Sequence, residues 1–465
     1  MEVFKINSKD LEVLEKPIKS VYYKYLIPAV LSMMSFAFIV FFDTMIIGQG
    51  VGEKGLAALN IVIPVYNLFA SLGLMIGFGG GAALSICKGK KDYEGANTFF
   101  TVVLTLTISF GVIISIIATV FTDPICTILG SNEMLEPYVK EYLRVLILFA
   151  PSFITVGALN VIARNDNAPK VAMISMTINA VLNIGLDVLF VLVFKWGMTG
   201  AIWATSMASI VSLIIMSTYF IKNSSLKYNI NLFSVKNSIR VFKNGMAIFI
   251  LEFSNGIVII LFNNVIISLI SESGVATFSI ITNVVLVFIA ILDGMTHAAQ
   301  PIISVNYGAG KIDRIKTLIK HGIVIIGSFG VIFYILSYVF SRDIVEAFGS
   351  NNEEFIVYTI RSMRIYFIMI IFSGINMFAI GIFQSMEKRK ISGVISLMKG
   401  IGLVTIFIQI IPRILGEDGL WLVVPAAEFI TLLFSSIMIV LLLRKSNCES
   451  NNNKITNCTK NSEVK

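Results

Sequence analysis

The chain has 465 residues, 56% hydrophobic and only 14% charged, with a mean hydropathy of +0.86. Soluble globular domains carry about 25% charged residues, so this composition excludes an ordinary soluble enzyme and points to an integral membrane protein. The formal net charge is +8, yet the basic residues are spread by loop and not gathered into a nucleic-acid-binding patch.

About 20 apolar residues suffice to cross a hydrocarbon core. Twelve such runs are predicted: 25–47, 56–86, 98–120, 139–163, 171–194, 199–222, 241–270, 276–305, 318–341, 359–384, 391–413 and 419–444. In the first, Pro28 lies early enough to kink the helix, and Asp43 is the one acid. In the second, Gly73, Gly77 and Gly81 recur at the four-residue step of close helix contacts, and the run Gly79-Gly80-Gly81 would tolerate bending. The fifth holds a single charged residue, Asp187. Asn183, Asn179 and Ser175 precede it at four-residue steps and stack oxygen-bearing side chains on one face. A carboxylate at that depth costs roughly 2.5–3.5 kcal/mol on insertion scales, so this stripe reads as part of a cation or proton pathway. Glu252 and Asn255 share a face of the seventh run, and Asn283, Asp293, His297 and Gln300 share one in the eighth. His297 is expected to be a hydrogen-bonded structural residue. Lys399, about nine residues into the eleventh run, is expected to form a structural salt bridge with Glu428 of the twelfth. Arg144, Arg361 and Arg364, near span ends, are expected to snorkel.

Lys and Arg fall in alternate loops. With residues 1–24 in the cytoplasm, 27 of the 36 basic residues lie on that side, and the positive-inside rule then makes both termini cytoplasmic. No cleavable leader is expected, because the first apolar run leads into a long span. Cys87, Cys126, Cys448 and Cys458 have no disulfide or metal-site spacing. Residues 445–465, rich in Asn, Ser and Lys, are expected to be a disordered cytoplasmic tail.

Sliding the chain on itself by 219 residues superposes Ser109-Phe110-Gly111-Val112-Ile113 on Ser328-Phe329-Gly330-Val331-Ile332 without a mismatch. The same shift aligns Gly89 with Gly308, Phe121 with Phe340, Ile125 with Ile344, and Gly130-Ser131-Asn132 with Gly349-Ser350-Asn351. Two lobes of six spans are implied, 25–222 and 241–444, joined by the basic cytoplasmic linker 223–240. An even number of spans per repeat leaves both lobes in the same orientation, related by an axis along the membrane normal, as suits alternating access by rocking.

Phe42-Asp43-Thr44-Met45-Ile46-Ile47-Gly48, with Leu56-Ala57-Ala58-Leu59 and Pro64, resembles the first two spans of the multidrug and toxic compound extrusion (MATE) family. Arg164-Asn165-Asp166 with Pro169-Lys170, Asn183-x-x-x-Asp187 and Trp196-Gly197-Met198-Thr199-Gly200-Ala201 match in order, as do Gln300-Pro301-Ile302-Ile303, Asn306-Tyr307-Gly308-Ala309-Gly310 and Pro425-x-x-Glu428. The similarity covers about 17–445 and runs to the MepA-like branch. It implies an all-α, V-shaped protein of twelve transmembrane helices in two pseudo-symmetric six-helix bundles. It also implies an antiporter that expels bulky, mostly cationic drugs or dyes in exchange for Na⁺ or H⁺.

Carried across residue by residue, the family's first-lobe ion site is Asp43, Asn183, Asp187 and Thr205, and Pro28 marks the helix whose bending releases substrate. These hard oxygen ligands suit Na⁺, and two neighbouring acids also share a proton readily, so the set leaves the ion open. In the second lobe, Glu252, Asn255 and Asp293 are expected to attract the cationic substrate. Another branch pairs a seventh-span Glu with a tenth-span Asp as a second ion site, but 365–386 holds no carboxylate. No cofactor is expected beyond the coupling ion, and a monomer in the plasma membrane is expected, with no nucleic-acid partner.

The alternative is a lipid-linked oligosaccharide flippase of the same superfamily, whose phosphate-bearing cargo would need deep Arg and Lys where acids predominate here. A major-facilitator transporter would carry an Asp-Arg-rich signature where Lys88-Gly89-Lys90-Lys91-Asp92 stands. His-Glu-x-x-His, Gly-x-Ser-x-Gly and Gly-x-x-x-x-Gly-Lys-Ser/Thr do not occur, so no hydrolytic or ATP-driven chemistry is expected.

Overall fold

The computed structural model describes residues 8–270, 272–348 and 352–462, with side chains over 12–270, 273–348 and 352–444; side chains of the expected tail, 445–465, lie outside that range. In lipid every backbone polar group must be satisfied within the chain, and among the described residues the regular structure is helical throughout. The first half comprises α1 (Ser8–Glu15), α2 (Ile18–Gly50), α3 (Glu53–Gly89), α4 (Tyr93–Val120), α5 (Thr122–Ile128), α6 (Glu136–Leu148), α7 (Ala150–Asn165), α8 (Pro169–Asp187) and α9 (Gly197–Lys222). The second comprises α10 (Val235–Leu269), α11 (Glu272–Gly308), α12 (Ile312–Val339), α13 (Ser341–Ala347), α14 (Glu353–Tyr366), α15 (Ile368–Ser385), α16 (Arg389–Leu397) and α17 (Leu403–Ser462). A π-helix continues α8 over Val188–Val193, and another joins α16 to α17 over Met398–Gly402.

Among the described residues ten helices are long and apolar enough to cross a membrane, and the pair α6 and α7, bent by 56°, makes an eleventh. Pro151 opens α7, and its missing N–H and ring clash account for the bend. The stretch Arg389–Arg444 is broken at Gly416, where φ is 65° and ψ −144°. Only glycine adopts that conformation readily, so the stretch is two spans and the total is the expected twelve.

The 219-residue repeat extends from sequence into helix ends. Both ends of α12 lie 219 residues beyond those of α4, and both ends of α13 lie 219 beyond those of α5. Backbone turns obey the same shift: Lys91 and Gly310 both have positive φ, as do Gly197 and Gly416.

Packing divides the molecule less evenly than the repeat does. Two apolar cores lie mainly in the first half, one around Phe99, Val103 and Ile162 that also takes in Val241 of α10, and one around Ile47, Leu143 and Ile202. The third core contains the second half together with Val21, Tyr22, Tyr25 and Ala29 of α2. Thus α2 starts in the core of the second lobe and ends, at Ile46 and Ile47, in that of the first.

The lobes meet where α2 and α3 press on α10 and α11. Glycines permit the approach. A Cβ on Gly79 would strike the Val241 carbonyl, one on Gly245 the Met75 carbonyl, and one on Gly308 the Ile86 carbonyl. Gly73, Gly77 and Gly81, by contrast, seat α7 against α3 within the first lobe, at Ile154, Ala158 and Asn165. Helix contact is therefore what those four-residue steps provide, and α3 runs unbroken through the glycine run.

Candidate functional site

In the first lobe α8 and α9 bring Asn183, Asp187 and Thr205 together. Asn183 and Asp187 are fully buried, and the Asn183 amide donates to Thr205 Oγ1 at 3.1 Å. Thr205 in turn donates to the Ala201 carbonyl at 3.1 Å, one turn back on its own helix. The Asp43 carboxyl of α2 lies beside the side chains of Asp187 and Asn183. All four residues expected of the first-lobe site are thus assembled.

Four of their oxygens lack donors. Asp43 Oδ1, Asn183 Oδ1 and both oxygens of Asp187 are buried without a hydrogen-bond partner. Buried acceptors left unpaired cost about 1–3 kcal/mol each, more when charged, so the arrangement calls for a proton or a cation. Among the described residues no group of three or more His, Cys, Asp or Glu side chains exists to hold a metal ion. Two carboxylates, an amide and a hydroxyl suit a hard monovalent ion, and the arrangement fits Na⁺ or H⁺ equally.

The backbone contributes as well. The π-helix begins at Val188, immediately after Asp187, and so re-aims the end of the span at this carboxylate. Two tyrosines that carry no recognisable sequence signal flank the site. Tyr142 of α6 lies beside Thr205 and both carboxylates, and Tyr66 of α3 lies beside Asp43. Tyr66 is itself wedged between Phe36, stacked at 6.5 Å, and Phe153, edge-on at 5.6 Å.

In the second lobe, the other π-helix carries Lys399. Its ammonium donates to Glu428 and, at 2.7 Å, to Ser373 Oγ; the Asn376 amide donates to the other Glu428 oxygen at 2.7 Å. The expected Lys399–Glu428 bridge is present and nearly buried, with side chains 9% and 3% exposed. Glu252 and Asp293 are neighbours of each other and of Lys399. Asn255, one turn from Glu252, is exposed. Of the three residues expected to attract substrate, Glu252 and Asp293 therefore flank a cluster that already contains one cation.

Pro28 is buried in α2, close to where Val30 crosses Gly294 of α11 so tightly that a Cβ added to Gly294 would lie 2.5 Å from the Val30 Cα. It sits where α2 leaves the core of the second lobe.

On the side of the basic loops, polar groups tie the lobes. The Asn165 amide donates to Gln300 Oε1 at 2.9 Å, Asn244 to the Gly79 carbonyl at 3.3 Å, and Tyr22 to the Met295 carbonyl at 3.1 Å. Arg240 grips Glu387 through two bonds of 2.8 and 2.6 Å and lies over the Phe99 ring. Lys88 and Asp166, which as sequence read as loop charges, form a buried pair at 2.5 Å with side chains 1% and 2% exposed. Asp166 also accepts from Tyr219 at 2.7 Å and Ser224 at 2.6 Å. His297 is buried against Phe78, ring centroids 4.6 Å apart, and its Nδ1 lacks a hydrogen-bond partner. Near the span ends, Arg361 pairs with Asp418, and Arg364 lies over the Tyr338 ring at 4.1 Å and donates to Ser341 at 3.1 Å, so both heads end on interfacial partners.

Asn60 and Asn67 of α3, Asn255 of α10 and Asn283 of α11 are exposed although they lie well inside apolar helices. Amides facing hydrocarbon at that depth are costly, so these faces line a water-accessible cleft.

The MatE family profile matches residues 28–189 and 247–411. The chain is 24% identical over 393 residues to multidrug export protein MepA of Staphylococcus aureus strain MRSA252, an alignment covering 84% of this chain and 86% of that one. Its fold matches the crystal structure of MATE in complex with MaL6 at a TM-score of 0.87 with 22% identity, covering 94% of this chain and 100% of the other. It matches the outward-facing conformation of a multidrug resistance MATE family transporter of the MOP superfamily at 0.86, with 22% identity and coverage of 93% and 98%.

Proposed function

The chain belongs to the MatE family, and from that membership we propose that it is a secondary active exporter of small organic cations, driven by inward movement of Na⁺ or H⁺. Multidrug export by a relative of nearly the same length supports the cargo class. The observation that carries the coupling is the cluster of donor-less oxygens on Asp43, Asn183 and Asp187. Such a cluster has high affinity for a cation or proton and none for an anion, so its occupancy follows the gradient. The acids Glu252 and Asp293 support a cationic cargo and disfavour a phosphate-bearing one, because Lys399 beside them is already engaged by Glu428.

Packing of α2 in both cores gives a physical basis for reciprocity. An ion at Asp43 acts on the first-lobe end of a helix whose other end is bound to the second lobe, and Pro28 lies between. In this reading the chain is a plasma-membrane monomer with both termini cytoplasmic, and the lobes are closed on the cytoplasmic side.

Purified protein in proteoliposomes is expected to extrude a fluorescent organic cation when a sodium gradient or a pH gradient is imposed. Asp187→Asn is expected to lower the rate at least tenfold. Imposing each gradient alone identifies the ion. Unchanged efflux by a well-expressed Asp187→Asn variant would remove the coupling site from this reading, and substrate-stimulated ATP hydrolysis would remove the antiporter.

A further inference from the structure

The outer wall of the first lobe contains a cavity of about 780 Å³ between α4, α7 and α9, closed at one end by the linker residues Leu226, Lys227 and Tyr228. Its floor is α7. That helix meets α3 through Ile154, Ala158 and Val161 and turns Ser152, Thr155 and Leu159 into the cavity, so the cavity opens away from the face along which the lobes meet. The rim residues Leu148 and Ile221 are 59% and 81% exposed. In a membrane this rim meets hydrocarbon, not the aqueous cleft.

Dimensions and chemistry identify what fits there. Along α9 the lining runs from Ile210 to Ile221, about eleven residues or roughly 16 Å. One leaflet of a hydrocarbon core about 30 Å thick has that depth. The deep end stops at Leu148 and Phe149, where α6 bends into α7. The shallow end carries the exposed Lys227 and Tyr228. Their segment is fastened to α4, because the Lys227 N–H donates to Asn97 Oδ1 at 2.9 Å and the Asn229 N–H to Thr101 Oγ1 at 3.1 Å. A cation and a tyrosine at the mouth of an apolar trough match the interfacial level of a bilayer, and no carboxylate lines the trough to repel an anion.

We infer that this groove is a binding site for one anionic phospholipid of the leaflet on the basic side, its acyl chain laid along α9 and its phosphate against Lys227. Left empty, the lining would forfeit its dispersion contacts; water gains too few polar partners there to fill it. The basic linker in which Lys227 stands adds attraction for the negative surface of that leaflet.

The test is native mass spectrometry of the delipidated protein titrated with dioleoyl-phosphatidylglycerol or with dioleoyl-phosphatidylcholine. One phosphatidylglycerol adduct is expected to survive activation that strips the others. Lys227→Gln should reduce the preference over phosphatidylcholine about fivefold, the share of one interfacial lysine. Ser217→Trp on α9 and, separately, Ile108→Trp on α4 should fill the trough and abolish the adduct, with cooperative thermal unfolding as the check on folding. Survival of the adduct in both tryptophan variants, or equal retention of the two lipids by the unaltered protein, would overturn the inference. So would a groove that retains a lipophilic dye cation and no phosphatidylglycerol.

Discussion

Asp43 and Asp187 differ from Asp166 and Glu428 by having no base. Asp166 has Lys88 and Glu428 has Lys399, each pair nearly buried, whereas no Lys or Arg pairs with the two first-lobe carboxylates among the described residues. Pairing decides what each acid does: a neutralised carboxylate fixes helices, and an unneutralised one waits for an ion. Lys399→Met should destabilise the protein by about 3–5 kcal/mol, because Glu428 is left charged and buried, and adding Glu428→Gln should recover most of that loss. Asp187→Asn should leave thermal unfolding in detergent nearly unchanged while efflux is lost. Denaturation curves for the three variants check the contrast; a stable Lys399→Met protein would deny the bridge its structural role. Asp187, Asp43 and the Lys399–Glu428 pair were legible because a charge in an apolar run needs an explanation. Lys88 was not, since it adjoins Lys90 and Lys91 and reads as one more loop base, and Tyr66 and Tyr142 were not, since an aromatic in an apolar span carries no signature.

Helices show the same limits at a larger scale. Hydropathy reveals that α2 spans, but not which neighbours it packs against, and its membership of two cores is a property of tertiary packing alone. Neither π-helix has a sequence signal, although each places an ionisable side chain, Asp187 in one lobe and Lys399 in the other, at its beginning. The glycines show how packing, not composition, sets the cost of a substitution. Gly245→Val is expected to destabilise by about 1–3 kcal/mol and to slow efflux, because its Cβ meets the Met75 carbonyl across the lobe interface. Gly256→Ala, eleven residues along the same α10 with nothing within 4 Å, should be harmless or stabilise by about 0.5–1 kcal/mol. Thermal unfolding and dye efflux of the two variants, side by side, distinguish interface packing from a general intolerance of α10 to larger residues.

For the molecule as a whole, the 219-residue shift was legible as sequence and holds to the residue in α4 and α12, because duplicated loops keep their turns. The asymmetry between lobes was not, since it arises from which contacts each copy has exchanged. On the basic side Asn165 and Gln300 meet across the lobes, their side-chain amides 2.9 Å apart. In a background without native cysteines, Asn165→Cys with Gln300→Cys should be bridged by a short bifunctional maleimide and lose efflux, while either single variant should keep it. Efflux that persists after complete cross-linking would show that these helices need not part during transport.

The sharing of α2 between two cores also bears on how the chain assembles. The hydroxyl of Tyr22 ends on the carbonyl of Met295, 273 residues later. At synthesis rates of about 5–20 residues per second, α2 enters the membrane on the order of 15–50 s before α11 exists to receive it. During that interval Val21, Tyr22 and Ala29 wait for the core they join, so the earliest spanning helix to be made is among the latest to be settled.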